Sequence, residues 1–280
     1  MIAFLNGKFV REDRAVVSIY DRGFLYGDGL FESVRVCNRQ PFLWWEHWDR
    51  LQRGAEFLGI RTPLSCGEMY RAALQLIQRS GLKEAVLRIN LSRGAGPRGY
   101  SPKGADHPTL AMTLHPALEV DQRQPMQWRL ATSSLRVPAN DAVSQFKTTN
   151  KLVQVLARAE AEAKGADEAL ILNTRGEVAE AASSNVFWVH RNVLCTTPLA
   201  TGALAGVTRA FIMEYLQSQH FPFAEKHIRR TSLLRADGVF LTMSSLGVVE
   251  VTHLDGIKLK RSALTKRLHQ AFWRTVRAGC

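Results

Sequence analysis

A lysine in the second half of the chain has surroundings that suit a reactive amine. Lys147 directly follows Phe146 and precedes a segment that is predicted to be a helix. The helix is predicted from an apolar stripe at helical spacing, which consists of Leu152, Val155, Leu156, Ala159 and Ala163. A lysine at the edge of a packed helix is held in one direction and is partly desolvated. These conditions lower the pKa of an amine and favour imine formation with a carbonyl compound.

Glu180 is predicted to lie in the second strand of a β-hairpin. The first strand is Glu168–Asn173, and the turn is formed at Gly176. The neighbours of Glu180 on both sides are apolar, so a buried carboxylate here needs a charged or protonated partner. A protonated pyridine nitrogen is such a partner, and together with Lys147 it indicates a pyridoxal-phosphate enzyme. The alternative is an ordinary hairpin glutamate that faces solvent.

A glycine-rich segment, residues 201–209, leads into a helix that is predicted to begin at Thr208. Free backbone N–H groups and the positive end of a helix bind phosphate, and the Thr208 hydroxyl adds a further donor. A simple helix N-cap would have the same composition. The combination of a lysine, a carboxylate and a phosphate-binding segment in one chain favours the cofactor site.

Residues 94–99 match the pattern GxGxxG directly after a predicted strand. A dinucleotide site requires a helix at the last glycine of this pattern, but Pro102 and Gly104 do not favour one. We therefore interpret the segment as a long loop that presents Arg98 and Tyr100 as donors to an anion. The alternative is a glycine-rich surface loop without a ligand.

Strands and helices are mixed along the chain, which predicts an α+β protein of two domains. Asn6-Gly7 predicts an opening hairpin, and residues 85–92 alternate between apolar and polar as in a half-buried strand. Signals for regular structure are weakest around residues 115–124, which include a proline. We place a linker at residues 117–124, between a small domain of residues 1–116 and a larger domain of residues 125–280.

The composition is that of an ordinary globular protein, with 46% apolar and 22% charged residues. The net charge of +12 comes from scattered lysines and arginines, which favours anionic small molecules over nucleic acid as partners. The four cysteines lie far apart without a paired motif, so neither a disulfide framework nor a metal site is predicted. Neither a membrane helix nor a signal peptide is predicted, so a cytoplasmic protein is expected.

Together these features resemble the fold-type IV pyridoxal-phosphate enzymes, a family that contains branched-chain and D-amino-acid aminotransferases and aminodeoxychorismate lyase. The resemblance covers nearly the whole chain. It rests on segments in the order of the family, which are residues 26–32, 47–51, 147–150, 180–187 and 206–209, and Ser244. It implies a small α/β N-terminal domain, a larger C-terminal domain of the D-amino-acid aminotransferase type, bound pyridoxal 5'-phosphate and a homodimer.

The resemblance also implies roles for individual residues. Lys147 would form the imine with the cofactor, and Glu180 would meet its pyridine nitrogen. The residues implied around the rest of the cofactor are Arg50, Ser184, Val207, Thr208 and Ser244. The residues implied on the substrate side are Tyr26, Phe31, Arg35, Arg98 and Tyr100. The arginines among them are suited to carboxylates, because a guanidinium binds a carboxylate through two hydrogen bonds.

Residues 92–101 distinguish between the activities of this family. Their arginine-glycine-tyrosine-serine run is similar to the loop of aminodeoxychorismate lyase, and Tyr100 stands where D-amino-acid aminotransferases usually have a histidine. Residues 147–156 are also similar to the lyase, whereas residues 180–185 are at least as close to the D-amino-acid enzymes and Met243 replaces a frequent asparagine. We therefore predict conversion of 4-amino-4-deoxychorismate to 4-aminobenzoate and pyruvate in folate synthesis. An aminotransferase for branched-chain or D-amino acids is the alternative.

Overall fold

In a computed structural model that describes residues 1–279, the chain forms two compact units. The first unit consists of Met1–Leu118 and Phe146–Lys151, with a short C-terminal stretch from Val276. The second unit consists of Glu119–Gln145 and Leu152–Thr275. Each unit contains one β-sheet accompanied by helices, which confirms the predicted α+β class. The domain boundaries at residues 116 and 125 stay a prediction.

The sheet of the first unit has six strands in the order β2-β1-β6-β5-β3-β4, and all neighbours are antiparallel. The strands are β1 (Ile2–Leu5), β2 (Lys8–Arg11), β3 (Gly29–Cys37), β4 (Gln40–Pro41), β5 (Ala85–Ser92) and β6 (Thr109–Pro116). The helices are α1 (Arg22–Tyr26), α2 (Trp44–Leu58) and α3 (Cys66–Ser80), with a short 3-10 turn at Glu12–Arg14. The predicted hairpin at Asn6-Gly7 joins β1 to β2, and both residues have positive φ.

The side chains of β5 alternate between the two faces of this sheet, because successive residues of a strand point in opposite directions. The buried residues belong to a core that also contains apolar residues of α2 and α3, and they are Ala85, Leu87, Ile89 and Leu91. The residues on the opposite face are partly exposed, and they are Val86, Arg88, Asn90 and Ser92. The sheet therefore presents polar side chains on the face that does not pack against helices.

The sheet of the second unit has nine strands and is mixed. The strands are β7 (Gln127–Val137), β8 (Glu168–Asn173), β9 (Val178–Ala181), β10 (Asn185–His190), β11 (Val193–Thr196), β12 (Phe223–Glu225), β13 (Gly238–Met243), β14 (Gly247–Leu254) and β15 (Ile257–Lys258). Their order is β12-β11-β10-β13-β14-β7-β8-β9, and β15 pairs with β14. Strand β7 is parallel to both of its neighbours and β11 is parallel to β12, whereas the other pairs are antiparallel.

The helices of this sheet are α4 (Leu152–Ala163), α5 (Val207–Ser218), α6 (Arg230–Leu233) and α7 (Ala263–Ala278), and a 3-10 turn covers Leu199–Thr201. Strands β8, β9 and β10 are buried almost throughout, which explains their nearly continuous apolar sequences. Within residues 1–279, no helix combines the length and the apolar character that a membrane span requires.

The predicted buried stripe of α4 is wrong. Leu152, Val155 and Leu156 remain 65%, 61% and 48% exposed, whereas Ala157 and Ala161 are fully buried. The two alanines form the close contact of α4 with the core around β7 and β8. Small side chains allow a helix to approach a sheet closely, so the alanines rather than the larger residues determine which face is buried. An apolar stripe indicates a helix here, but it does not identify the buried face.

Candidate active site

The segment around Lys147 continues the sheet of the first unit at an open edge of β3. The backbone N–H of Phe31 donates to the Lys147 carbonyl oxygen at 2.8 Å, and that of Thr149 donates to the Gly29 carbonyl oxygen at 2.9 Å. Strand β4 pairs with the other end of β3, so these backbone groups are available to the segment. The Thr149 hydroxyl also donates to the Gly27 carbonyl oxygen at 2.8 Å. Lys147 is therefore held by its own backbone at a fixed position beside β3.

The half-buried Lys147 side chain shares an aromatic ring with an arginine. Its Nζ atom lies 4.5 Å from the centre of the Phe31 ring, and Cζ of Arg88 lies 3.5 Å from the same centre. Arg88 projects from β5, where it is paired with Ser33 of β3, and its Nε donates to Oδ1 of Asn90 at 3.1 Å. The ring of Phe31 thus brings two cationic groups together on the polar face of the sheet.

Arg88 is a cation near Lys147 whose charge is not neutralised by a neighbouring carboxylate. Burial lowers the pKa of Arg88 to about 10, and the negative charge of Glu32 opposes this shift. Within residues 1–279, no carboxylate forms an ion pair with Arg88. A partly desolvated guanidinium without a paired carboxylate attracts an anion more strongly than an arginine in water does. Arg88 was not among the residues predicted from the sequence, because its position beside Phe31 and Lys147 depends on the register between β3 and β5.

Arg50 lies in a buried cluster with Glu32 and His47 in the first unit. The Nε and NH2 atoms of Arg50 donate to the two carboxylate oxygens of Glu32 at 2.8 and 2.7 Å, and Nδ1 of His47 lies 2.6 Å from Oε2. Burial raises the pKa of Glu32, but the charge of Arg50 and the hydrogen bonds from both partners bring it down to about 2. Burial lowers the pKa of His47. The Glu32 carboxylate therefore fixes the orientation of the guanidinium that is predicted to bind phosphate.

The predicted substrate residue Arg35 is engaged with another carboxylate. It is buried, it forms an ion pair with Glu84, and the second oxygen of Glu84 accepts a hydrogen bond from the backbone N–H of Asn38 at 2.9 Å. Arg35 lies four residues beyond Phe31 on β3, which corresponds to roughly 13 Å along the strand. Arg88 is thus a stronger candidate than Arg35 for binding a substrate carboxylate near Lys147.

The glycine-rich loop brings Tyr26 close to Tyr100. The backbone N–H of Gly99 donates to the Tyr26 hydroxyl at 3.1 Å, and the two tyrosine rings meet edge to face at 5.6 Å. Arg98 is exposed, and Tyr100 is 88% exposed. Residues 99–108 contain no helix, which agrees with the rejection of a dinucleotide site. At Gly94, where φ is +85°, an added Cβ would lie 1.8 Å from the carbonyl oxygen of His107, so only glycine fits.

In the second unit, Glu180 on β9 is buried and its carboxylate has a fixed orientation. Its Oε2 accepts a hydrogen bond from the backbone N–H of Leu204 at 2.9 Å, and the Leu204 carbonyl oxygen accepts one from Nδ2 of Asn185 at 2.9 Å. The nearby Ser184 hydroxyl is buried and has no hydrogen-bond partner among the described residues. A buried hydroxyl without a protein partner can donate a hydrogen bond to a ligand group.

The start of α5 has the features of a phosphate site. Gly206 caps the helix without a side-chain hydrogen bond, so the first backbone N–H groups have no partner within the helix. A Cβ at Gly206 would lie 1.9 Å from Oδ1 of Asn185, which explains the glycine. The hydroxyls of Thr208 and Ser244 lie 3.4 Å apart. Val207, Thr208 and Ser244 therefore converge on one end of a helix, as an anion requires.

The residues of the second unit fit pyridoxal phosphate. A buried carboxylate, an unsatisfied hydroxyl and a helix N-terminus with two hydroxyls supply partners for a ring nitrogen and a phosphate group. Within residues 1–279, no group of three His, Cys, Asp or Glu residues is arranged to hold a metal ion.

Comparisons with known proteins agree with this chemistry. The chain matches the model of the class IV aminotransferase family over residues 29–254. A Methanocaldococcus jannaschii protein with a provisional assignment as a branched-chain-amino-acid aminotransferase is 33% identical over 278 residues, which cover 97% of this chain and 95% of the relative. An aminodeoxychorismate lyase from Vibrio harveyi is 32% identical over 261 residues, which cover 90% of this chain and 94% of the relative.

Solved structures support both the fold and the cofactor. The branched-chain aminotransferase of the archaeon Thermoproteus uzoniensis with norvaline superimposes with a TM-score of 0.92 at 28% sequence identity, covering 100% of this chain and 95% of that chain. A second branched-chain amino acid aminotransferase, solved with pyridoxamine 5'-phosphate, superimposes with a TM-score of 0.90 at 27% identity, covering 99% of this chain and 94% of that chain. The predicted family, fold type and cofactor are thereby confirmed. The chain belongs to the class IV aminotransferase family and is a fold-type IV enzyme that depends on pyridoxal 5'-phosphate.

Proposed function

We propose that this enzyme is an aminodeoxychorismate lyase, which converts 4-amino-4-deoxychorismate to 4-aminobenzoate and pyruvate. Overall identity does not discriminate, because the relative with an aminotransferase assignment and the lyase are 33% and 32% identical to this chain. The observation that carries the proposal is the loop of residues 93–101, whose sequence resembles that of the lyase and whose Tyr100 lies against Tyr26. We name residues 93–101 the substrate loop.

The proposed substrate has two carboxylate groups, and the polar face of the first unit offers cations for them. Arg88 stacks on Phe31 beside Lys147 and has no paired carboxylate among the described residues, so we assign it to the carboxylate nearest the reacting amine. Arg98 is exposed in the substrate loop and is assigned to the second carboxylate, with Tyr100 as an additional donor. Arg35 is left out of this assignment because Glu84 already neutralises its charge.

Lys147 is proposed to attach the cofactor and to move the proton. Pyridoxal phosphate, when bound, supplies an electron-withdrawing ring that stabilises negative charge on the substrate carbon that bears the amine. With the cofactor bound, the substrate amine would displace Nζ of Lys147 from it. The freed amine would then take the proton from that carbon and return a proton to the departing enolpyruvyl group, so one amine acts as base and then as acid. Its backbone position beside β3 restricts where Nζ can reach.

The remaining cofactor contacts are assigned by the chemistry of each group. Glu180 accepts a hydrogen bond from the protonated ring nitrogen, because a carboxylate accepts several hydrogen bonds and the one from the N–H of Leu204 holds it in a fixed orientation. The phosphate group is assigned to Arg50, to the N–H groups at the start of α5 and to the hydroxyls of Thr208 and Ser244. Ser184 is assigned to the cofactor as a further hydrogen-bonding residue.

We also propose a homodimer, which the family resemblance implies, a cytoplasmic location, and a place in folate synthesis, which follows from the lyase assignment. The homodimer is supported by exposed apolar residues that lie close together in the sequence of the first unit, which are Val16, Ile19, Tyr20 and Phe24 at 65 to 77% exposure. Exposed apolar patches of this kind are typical of interaction surfaces. Size-exclusion chromatography with light scattering checks this, and a monomer at micromolar concentration would contradict it.

The experiment compares both activities on one purified sample. We expect 4-aminobenzoate to form from 4-amino-4-deoxychorismate, and we expect slower consumption of branched-chain or D-amino acids with 2-oxoglutarate. Lys147→Ala should abolish the activity, and Lys266→Ala, at an exposed lysine on α7, serves as the matched control. Turnover of amino acids without any 4-aminobenzoate would overturn the lyase proposal. The aminotransferase is our second candidate, because the relative with that assignment covers 97% of this chain.

A further inference from the structure

Every nitrogen of the Arg22 guanidinium donates a hydrogen bond, and two of these bonds connect α1 to the substrate loop. Its Nε donates to Oδ2 of Asp28 at 2.9 Å, its NH1 to the Gly99 carbonyl oxygen at 2.8 Å and its NH2 to the Tyr100 carbonyl oxygen at 3.1 Å. The backbone N–H of Arg22 also donates to the Gly94 carbonyl oxygen at 2.9 Å. One buried residue therefore binds the beginning and the tip of the loop.

Asp28 fixes the position of this guanidinium. Its carboxylate also accepts hydrogen bonds from Nε and NH2 of Arg93 at 2.8 and 3.1 Å, and its carbonyl oxygen accepts one from the Arg93 backbone N–H at 3.1 Å. Arg93 is in turn held by the carbonyl oxygens of Leu58 and Gly59 at 2.7 and 2.9 Å. Asp28 thus links the first residue of the substrate loop to Arg22.

The tip of the substrate loop has little packing of its own. Tyr100 is 88% exposed, and its ring meets the edge of the Tyr26 ring. Arg22 supports this contact as well, because its Cζ atom lies 4.9 Å from the centre of the Tyr26 ring. A loop with few buried apolar contacts depends on its polar contacts for a single conformation. The carbonyl oxygens of two successive residues, Gly99 and Tyr100, both accept hydrogen bonds from Arg22, so this residue controls the direction of the tip.

We propose that Arg22 is a positioning residue that holds Arg98 and Tyr100 of the substrate loop in the conformation that binds substrate. The proposal has two parts. The ordering of the loop stands on the contacts of Arg22, Asp28 and Arg93 alone. The effect on substrate binding rests on the proposed function, in which Arg98 and Tyr100 contact the substrate.

The test uses Arg22→Met and Arg22→Lys in the cofactor-loaded enzyme. Methionine keeps the apolar stem but removes all donors, whereas lysine keeps the charge and the Asp28 pair but cannot reach both carbonyl oxygens. The first measurement is the rate of native trypsin cleavage after Arg98, followed by mass spectrometry. We expect it to rise at least tenfold in Arg22→Met and by less in Arg22→Lys. If Arg22→Met does not fold, both the cleavage rate and KM are measured on Arg22→Lys instead.

The second measurement separates KM from kcat. We expect KM for 4-amino-4-deoxychorismate to rise at least tenfold in Arg22→Met, with kcat within about threefold and with the absorbance of the bound cofactor unchanged. Wild-type cleavage after Arg98 together with wild-type KM would overturn the proposal. A purely structural residue would lower the melting temperature and cofactor retention but would leave KM of the folded fraction unchanged. An unchanged KM in Arg98→Met would instead refute the substrate role of the loop, and the cleavage result would still decide the role of Arg22.

Discussion

Replacing Arg88 by methionine should weaken substrate turnover while leaving cofactor binding intact. Arg88 stacks on Phe31 together with Lys147, and its pKa of about 10 keeps it protonated at neutral pH. Methionine retains an apolar side chain on the Phe31 ring, so the variant removes the charge and the donors with little loss of packing. The effect should therefore come from the missing anion contact.

The expected loss of kcat/KM follows from the type of contact that the substitution removes. A charge-assisted hydrogen-bonded pair between a guanidinium and a carboxylate contributes about 2–3 kcal/mol. That range corresponds to a loss of roughly 30- to 150-fold in kcat/KM. Arg88→Lys should lose less, because an ammonium keeps the charge but not the paired donors.

The assay measures steady-state kcat/KM for 4-amino-4-deoxychorismate and, in parallel, cofactor affinity by absorbance titration. Arg79→Met is the matched control, because Arg79 of α3 also stacks on a phenylalanine, with its Cζ 4.0 Å from the centre of the Phe9 ring, but it lies on another part of the first unit. We expect Arg79→Met to keep wild-type kcat/KM. A value within twofold of wild type for Arg88→Met would refute the assignment of Arg88 as an anion site.

Two further predictions concern the framework of the site. Glu32→Gln breaks a buried ion pair and should lower the free energy of unfolding by about 3–5 kcal/mol in urea denaturation. Because the pKa of Glu32 is lowered from 4.5 to about 2, the wild type should lose this stability as the pH falls from about 4.5 to 2. An acid transition in the variant that is the same as in the wild type would contradict the pairing. Gly206→Ala places a methyl group against Asn185 and should weaken cofactor affinity at least tenfold by absorbance titration, whereas Gly67→Ala, where an added Cβ meets nothing within 4 Å, should not. Equal affinity in the two alanine variants would show that the start of α5 does not contact the phosphate group.

Features that depend on short stretches of sequence could be predicted. The Asn6-Gly7 hairpin and the alternation of buried and exposed residues in β5 depend only on residues that are neighbours in the sequence. The start of α5 is local as well, because the glycine that caps the helix and its first residues are adjacent in the sequence.

Features that depend on pairing between distant segments could not be predicted. Arg88 becomes a candidate only because the register of β3 and β5 pairs it with Ser33 and because Phe31 reaches both Arg88 and Lys147. Arg35 has the same residue type, but its ion pair with Glu84 removes its charge from the site, and nothing in the sequence indicates that pair. The contacts of Arg22 with the substrate loop likewise join residues that are far apart in the chain.

The most direct test of the account is to locate the lysine that binds the cofactor. Holoenzyme loaded with pyridoxal phosphate is reduced with borohydride, digested and analysed by mass spectrometry. We predict that the peptide containing Lys147 carries the reduced cofactor, that Lys147→Ala carries none, and that Lys266→Ala is labelled like the wild type. Cofactor found on another lysine, or labelling that persists in Lys147→Ala, would contradict the central role assigned to Lys147.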